Sequence, residues 1–155
     1  MNTFDLLIFS SYASWWSYIF GEQFTHCGIV LKSPTYLDSK LTGTYLLEAS
    51  DDSIRITELN GLLSEFKGNV YMRRPLFIPE EEKMKVVYSK IFSKCLSVSP
   101  VIVNNCNIER ASQPSAVVSY VYICLGVLEE SHLWALNTVK SLMDAPEFLA
   151  PVKIK

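Results

Sequence analysis

The stretch of sequence that decides the fold is Phe24–Leu31, which reads FTHCGIVL. His26 stands at the entrance of this apolar run, and Glu48 is the one charged residue of a second run, Thr44–Ala49. Such short runs of apolar, β-branched and aromatic residues predict strands, so we expect two neighbouring strands of one sheet. A buried carboxylate is costly unless it is paired, which makes Glu48 unusual at this place. An imidazole and a carboxylate on adjacent strands are also two of the three groups of a catalytic triad, so the question is whether a nucleophile accompanies them.

Composition predicts one globular domain over residues 1–155, because the chain is 49% hydrophobic and its formal net charge is only −2. The densest basic spot is only the pair Arg73-Arg74. This lack of a larger cluster of lysines and arginines argues against nucleic acid as the main partner. The longest apolar run, Ala116–Leu128, is too short to span a bilayer, which takes ~20 helical residues. Met1–Phe20 lacks the basic residues of a secretory signal. We therefore expect no transmembrane segment and a cytoplasmic location.

The cysteines and histidines give no signal for a metal or a cofactor. The four cysteines, which are Cys27, Cys95, Cys106 and Cys124, form no C-x-x-C pair, and neither histidine has a second ligand at zinc spacing. A phosphate-binding glycine loop is also missing from the sequence. Two disulfides are arithmetically possible, but Cys27 and Cys124 lie in apolar runs, where a buried free thiol is the commoner outcome. We therefore predict no cofactor, no metal and a reducing compartment.

The first half of the chain predicts mostly strands. Alternating and apolar runs separated by turn residues predict five strands, at Asp5–Ser10, Cys27–Lys32, Thr44–Ala49, Ser53–Thr57 and Asn69–Arg74. A short helix is predicted at Leu59–Phe66.

The second half predicts mostly helices. Pro79 and the acids after it are typical of a helix start. Pro114 opens a second helix that runs to about Cys124, with Gly126 at its C-terminal cap. A last helix is predicted near Ser131–Met143, followed by a docking segment at Ala145–Leu149. The order of elements predicts an α+β fold in which an antiparallel sheet from the first half packs against helices from the second half.

The predicted sheet resembles a known family. The segments that carry the resemblance occur in this order, Asp5–Phe9, Phe24–Val30, Leu46–Ala49, Ile54-Arg55 and Val70–Arg74. In this they are similar to the circularly permuted NlpC/P60 proteins, papain-like thiol hydrolases that are related to the lecithin:retinol acyltransferase group and occur in bacteria and large DNA viruses. The resemblance covers residues 5–75 and 112–128. It implies a papain-like fold in which His26 is the base, Glu48 orients it, and His26 looks across at the first turn of the helix that begins near residue 114.

The resemblance also places the nucleophile. In the family it is a cysteine that opens this helix, and here that position is Pro114, which has no thiol but suits a first helical residue. Ser115 would point elsewhere by about 100°, and Cys124 lies ~15 Å along the helix. Cys27 neighbours His26 on a strand and so points to the opposite face. Cys106 lies in the loop before the helix and could fold back to His26.

Three functions stay open at this point. The first is a papain-like domain that has lost its nucleophile and has a binding or structural role, for example in a virion. The second is an active cysteine hydrolase or acyltransferase on amide or ester substrates, with Cys106 as nucleophile, His26 as base and Glu48 as orienting group. The third is an interaction subunit that binds a protein partner or a second copy of itself through the aromatic segment Tyr12–Phe20.

Overall fold

The computed structural model describes residues 1–11, 23–50, 53–95, 102–104, 107–110, 114–129 and 138–155. Six strands form one antiparallel sheet in the order β4-β3-β2-β1-β5-β8, and β6 and β7 form a separate two-stranded sheet. The strands are β1 (Leu6–Ser11), β2 (Gln23–Lys32), β3 (Thr44–Ser50), β4 (Ser53–Glu58), β5 (Asn69–Arg73), β6 (Ile102–Asn104), β7 (Asn107–Arg110) and β8 (Val152–Lys153). The helices are α1 (Leu59–Glu65), α2 (Glu81–Cys95), α3 (Pro114–Leu125) and α4 (Val139–Asp144). The predicted α+β class is confirmed.

Both faces of the large sheet are covered, because the central strand β1 is apolar at every one of the positions Leu6–Phe9 and buries them all. On one face, which we call the helix face, Leu6, Ile8 and Ile29 join a core with the buried residues of α2, α3 and α4. On the other face, the α1 face, Leu7 and Phe9 join a smaller core with α1.

The helix face holds the larger core. The residues that α3 contributes to it are Val117, Val118, Tyr120, Val121, Tyr122 and Leu125. Gly126 follows with a φ of +78°, so the predicted glycine cap of this helix is confirmed. Among the described residues, no helix combines the length and the apolar character needed to cross a membrane.

The five strands predicted from the first half are all present, with small changes in their bounds. The largest change is in β2, which begins at Gln23 instead of Cys27, because Ser10 and Ser11 of β1 continue the pairing past an irregularity after Phe9. The two-residue strand β8 was not predicted. It adds a sixth strand at the edge of the sheet by pairing with Tyr71 and Met72 of β5.

The C-terminal segment docks as predicted, and a buried arginine holds it. Arg73 of β5 donates hydrogen bonds to the carbonyl oxygens of Leu142, Phe148 and Leu149, at 2.8–3.0 Å. Its guanidinium also lies over the ring of Phe148, 5.5 Å from the ring centroid. Since three backbone carbonyls surround one buried cation, Arg73 fixes the path of the chain after α4. The helix predicted at Ser131–Met143 is observed as α4, which begins only at Val139, after the N-cap residue Thr138; residues 131–137 lie outside the described residues.

Candidate functional site

The two residues singled out in the sequence meet in the structure. The Nε2 atom of His26 lies 2.5 Å from Oε2 of Glu48. Because a carboxylate only accepts hydrogen bonds, Nε2 carries the proton and donates it to Glu48. The other ring nitrogen, Nδ1, is not the one that Glu48 binds. The Glu48 side chain is 1% exposed and that of His26 is 24% exposed. The imidazole therefore lies at the edge of the site and the carboxylate beneath it.

Glu48 has two further partners that the sequence reasoning did not name. Its second oxygen, Oε1, accepts hydrogen bonds from Nε of Arg55 at 2.7 Å and from Oγ1 of Thr57 at 2.5 Å. Burial on its own would raise the pKa of the Glu48 carboxyl. Hydrogen bonds from His26, Thr57 and Arg55 outweigh the burial and lower this pKa from 4.5 to about 2. The carboxylate is therefore ionised at neutral pH, with both oxygens engaged.

Strand register places these partners. Gly28 of β2 lies opposite Glu48 of β3, and Arg55 of β4 lies opposite Glu48 on the other side. The pairing of Arg55 with Glu48 follows from the short connection between β3 and β4. Only two residues separate β3 from β4, so Ser50 opposes Ser53, and the same count places residue 55 opposite residue 48.

The glycine of the HCGIV stretch has a packing role. A Cβ atom at Gly28 would lie 2.6 Å from Cγ of Leu46 and 2.8 Å from the carbonyl oxygen of Leu47. Real Cβ atoms do not approach so closely, so any side chain here would push β2 and β3 apart. Gly28 thereby allows the close strand pairing that brings His26 and Glu48 together.

The site lies on the α1 face of the sheet. Side chains alternate along a strand, so His26 lies on the face of Val30, whereas Cys27 lies on the helix face. The His26 ring is 5.7 Å from the ring of Phe9, which belongs to the core of the α1 face. Glu48 likewise shares its face with Leu46 and not with its neighbours Leu47 and Ala49.

This placement corrects one expectation from the sequence. The helix α3, which begins at Pro114, packs against the helix face. The expectation that His26 looks across at the first turn of this helix is therefore not met. The structure brings together His26 and Glu48 but places the start of α3 on the other side of the sheet.

The cysteines described with their side chains do not approach the imidazole. Cys27 points into the core of the helix face, and burial raises the pKa of its thiol far above the usual range. Cys124 is exposed near the end of α3, so the expectation that it is a buried thiol is wrong. Cys106 and the aromatic segment Tyr12–Phe20 lie outside the described residues.

The arrangement can hold and orient one imidazole. It keeps the proton on Nε2 and an ionised carboxylate beside it. Within the described ranges, no group of three His, Cys, Asp or Glu side chains is placed to share a metal ion. In comparisons with known proteins, no protein-family model, no curated protein sequence and no solved structure matches this chain.

Proposed function

We propose that this chain is a non-catalytic domain with a binding or structural role. In this proposal the cluster of His26, Glu48, Arg55 and Thr57 stabilises the pairing of β2, β3 and β4 and performs no hydrolysis. The observation that carries the proposal is that His26 and α3 lie on opposite faces of the sheet. A nucleophile supplied by the first turn of α3 could not reach the imidazole through a covered sheet.

The chemistry of the cluster supports a stabilising role. A carboxylate that is 1% exposed needs compensating hydrogen bonds, and Glu48 receives them from three different side chains on two neighbouring strands. Each donor thereby joins β3 to β2 or to β4.

The NlpC/P60 resemblance would make Pro114 the nucleophile position, but that assignment requires the first turn of α3 to face His26, and the two lie on opposite faces of the sheet. The proposal does not depend on that kinship, since it rests on the sides of the sheet that the two elements occupy. A role in a virion or in the host cytoplasm would follow from the resemblance alone.

A second candidate, an active cysteine hydrolase or acyltransferase, is favoured by one observation. Glu48 holds Nε2 of His26 and leaves Nδ1 as the nitrogen that could accept a proton from a thiol. Cys106 would then have to approach the α1 face.

Thiol reactivity separates the two candidates. The chain is labelled with iodoacetamide at pH 7, and the labelling rate of each cysteine is followed by peptide mass spectrometry. We expect Cys106 to react no faster than an ordinary exposed thiol, and we expect the same rate in His26→Gln. A catalytic thiolate would react faster by about tenfold or more, because each unit of lowered pKa multiplies the thiolate fraction about tenfold. Such a rate, lost in His26→Gln but kept in the exposed control Glu58→Gln, would overturn the proposal.

A further inference from the structure

A cavity of about 410 Å³ lies where the N-terminal residues meet the end of β2 and the start of α2. Its volume is in the range of small-molecule sites, which combine an apolar wall with a few polar groups. Phe4, Ile78 and Pro79 form the apolar part of the lining. Lys32, also in the lining, is the last residue of β2 and lies about 20 Å along the strand from His26. The cavity is therefore separate from the cluster around His26.

The N-terminal wall of the cavity is held by hydrogen bonds. The amide of Asn2 donates to Oδ2 of Asp5 at 2.6 Å, and the buried carboxylate of Asp5 also accepts two hydrogen bonds from Arg74. Oγ1 of Thr3 accepts a hydrogen bond from the amide of Lys32 at 3.1 Å, so its own proton can still be donated. Because Asn2 and Thr3 both line the cavity, this wall is formed before any ligand binds.

Two residues next to the cavity have strained backbones. Phe4 has a φ of +71°, and Ser33, which follows Lys32, has a φ of +43°. The surroundings of Phe4 enforce its conformation, since its amide donates to the carbonyl of Val30 and its carbonyl accepts from the hydroxyl of Tyr122. Such strain persists only where the structure around it enforces it, and it is concentrated at functional sites.

The cavity carries one charge of each sign. Lys32 and Glu81 both line it and are both exposed. Over the described ranges, no ion pair joins Glu81 to Lys32, nor to Lys83 or Lys85, the bases that follow it in α2. An anionic ligand would meet the like charge of Glu81, and a cationic ligand would meet that of Lys32. A molecule that carries both charges is attracted by both residues.

We propose that this cavity binds a small zwitterion that also carries an apolar group, which is the chemistry of an apolar α-amino acid. The carboxylate of the ligand lies against Lys32 and its ammonium against Glu81. Its side chain packs on Ile78 and Pro79. This inference rests on the binding role proposed above and gives that role a ligand, and it uses no residue of the His26 cluster.

A titration of the isotope-labelled full chain with L-leucine tests the proposal. Amide chemical shifts are followed by NMR at pH 7 while leucine is added to about 20 mM, which covers millimolar dissociation constants. We expect saturable shifts of the amides of Thr3, Lys32 and Glu81. The amide of Gly61, in α1 on the other face of the sheet, should not move.

Analogues of leucine that lack one charge test the orientation. 4-Methylpentanoate has no ammonium and L-leucinamide has no carboxylate, so each should bind the natural chain about threefold or more weakly than leucine, as expected for the loss of an exposed ion pair. Glu81→Gln should bind 4-methylpentanoate as well as leucine, because the partner of the ammonium is gone. Lys32→Gln should likewise bind leucinamide as well as leucine. The control variants Glu65→Gln and Lys67→Gln, at exposed residues outside the cavity, should keep the natural preference.

The other outcomes overturn the proposal. These are no saturable shift with leucine, shifts confined to residues outside the cavity, equal binding of leucine and its analogues by the natural chain, or an unchanged preference in Lys32→Gln and Glu81→Gln. Amide spectra as well dispersed as that of the natural chain show that the variants fold. Thiol labelling involves no residue of the cavity, so failure of the ligand proposal is distinguishable from failure of the non-catalytic assignment.

Discussion

The imidazole of His26 and the carboxylate of Glu48 lie 2.5 Å apart across β2 and β3, on the face of the sheet that α3 does not cover. This relationship has two consequences. It makes the pair a stabilising contact between strands, and it removes the pair from the helix whose first residue the resemblance assigns to the nucleophile.

Removing the charge of Glu48 should destabilise the fold. In Glu48→Gln the amide replaces one acceptor oxygen by a donor, so at least one of His26, Arg55 and Thr57 loses its acceptor. We expect the free energy of unfolding to fall by about 2–3 kcal/mol, which is typical for a buried charge-assisted hydrogen bond that is left unmade. Urea unfolding at pH 7 measures it. The control Glu58→Gln, at an exposed carboxyl, should change it by less than about 0.5 kcal/mol. Equal effects of the two variants would contradict the stabilising role.

Stability should fall in acid in a way that depends on Glu48. Its pKa is about 2 in the fold against 4.5 for the free side chain. A carboxyl with a lowered pKa stabilises the fold fully above its unfolded pKa, so its contribution of about 3 kcal/mol should disappear as the pH falls from about 4.5 towards 2. The difference in unfolding free energy between the natural chain and Glu48→Gln, measured in urea at pH 7, 4.5 and 3, should therefore shrink with each step. A difference that stays constant over this range would contradict the lowered pKa.

A methyl group at Gly28 should disturb the central strands. Gly28→Ala forces an atom to within 2.6 Å of Leu46 and 2.8 Å of a backbone oxygen, so β2 and β3 must separate. We expect a loss of about 2–3 kcal/mol in unfolding free energy, as for overpacked cores. Gly43→Ala is the matched control, because a Cβ there meets no atom closer than 3.6 Å. If thermal unfolding showed the two alanine variants to be equally stable, the packing role of Gly28 would be refuted.

The C-terminal segment should loosen when Arg73 is shortened. Arg73→Lys keeps the charge but cannot reach three carbonyl oxygens with a planar fork. We expect the amides of residues 145–153 to exchange with solvent deuterium about tenfold faster or more, while those of β3 keep their protection. Lys153→Arg, an exposed change within the same segment, serves as the control. Unchanged exchange in residues 145–153 would show that other contacts hold the segment.

The sequence predicts the pairing of His26 with Glu48 because a carboxylate in an apolar strand requires a partner. It does not predict Arg55 as a partner, because the predicted strands leave three residues between them, whereas β3 extends to Ser50 and the two-residue connection sets the register. The sequence does not predict which face of the sheet α3 packs against. Strand alternation separates His26 from Cys27, but apolar residues occupy both faces of β1, so the pattern does not say which face receives the helices.

The exposure of Leu76, Phe77 and Ile78 was also not predicted. These residues have the composition of core residues, and only their exposed fractions of 63%, 52% and 59% show that their side chains lie in solvent. The strand β8 was missed because two residues are too few for a periodic pattern, and its place follows from the path that Arg73 gives to the chain.

The most direct test of the central claim is a measurement of nuclear Overhauser effects from the ring protons of His26 in the full chain at pH 7. We predict cross-peaks to the ring protons of Phe9, whose centroid is 5.7 Å away, and none to Ser115 or Val118 in the first two turns of α3. Cross-peaks from His26 to Ser115 or Val118 would place the imidazole on the helix face and contradict the account.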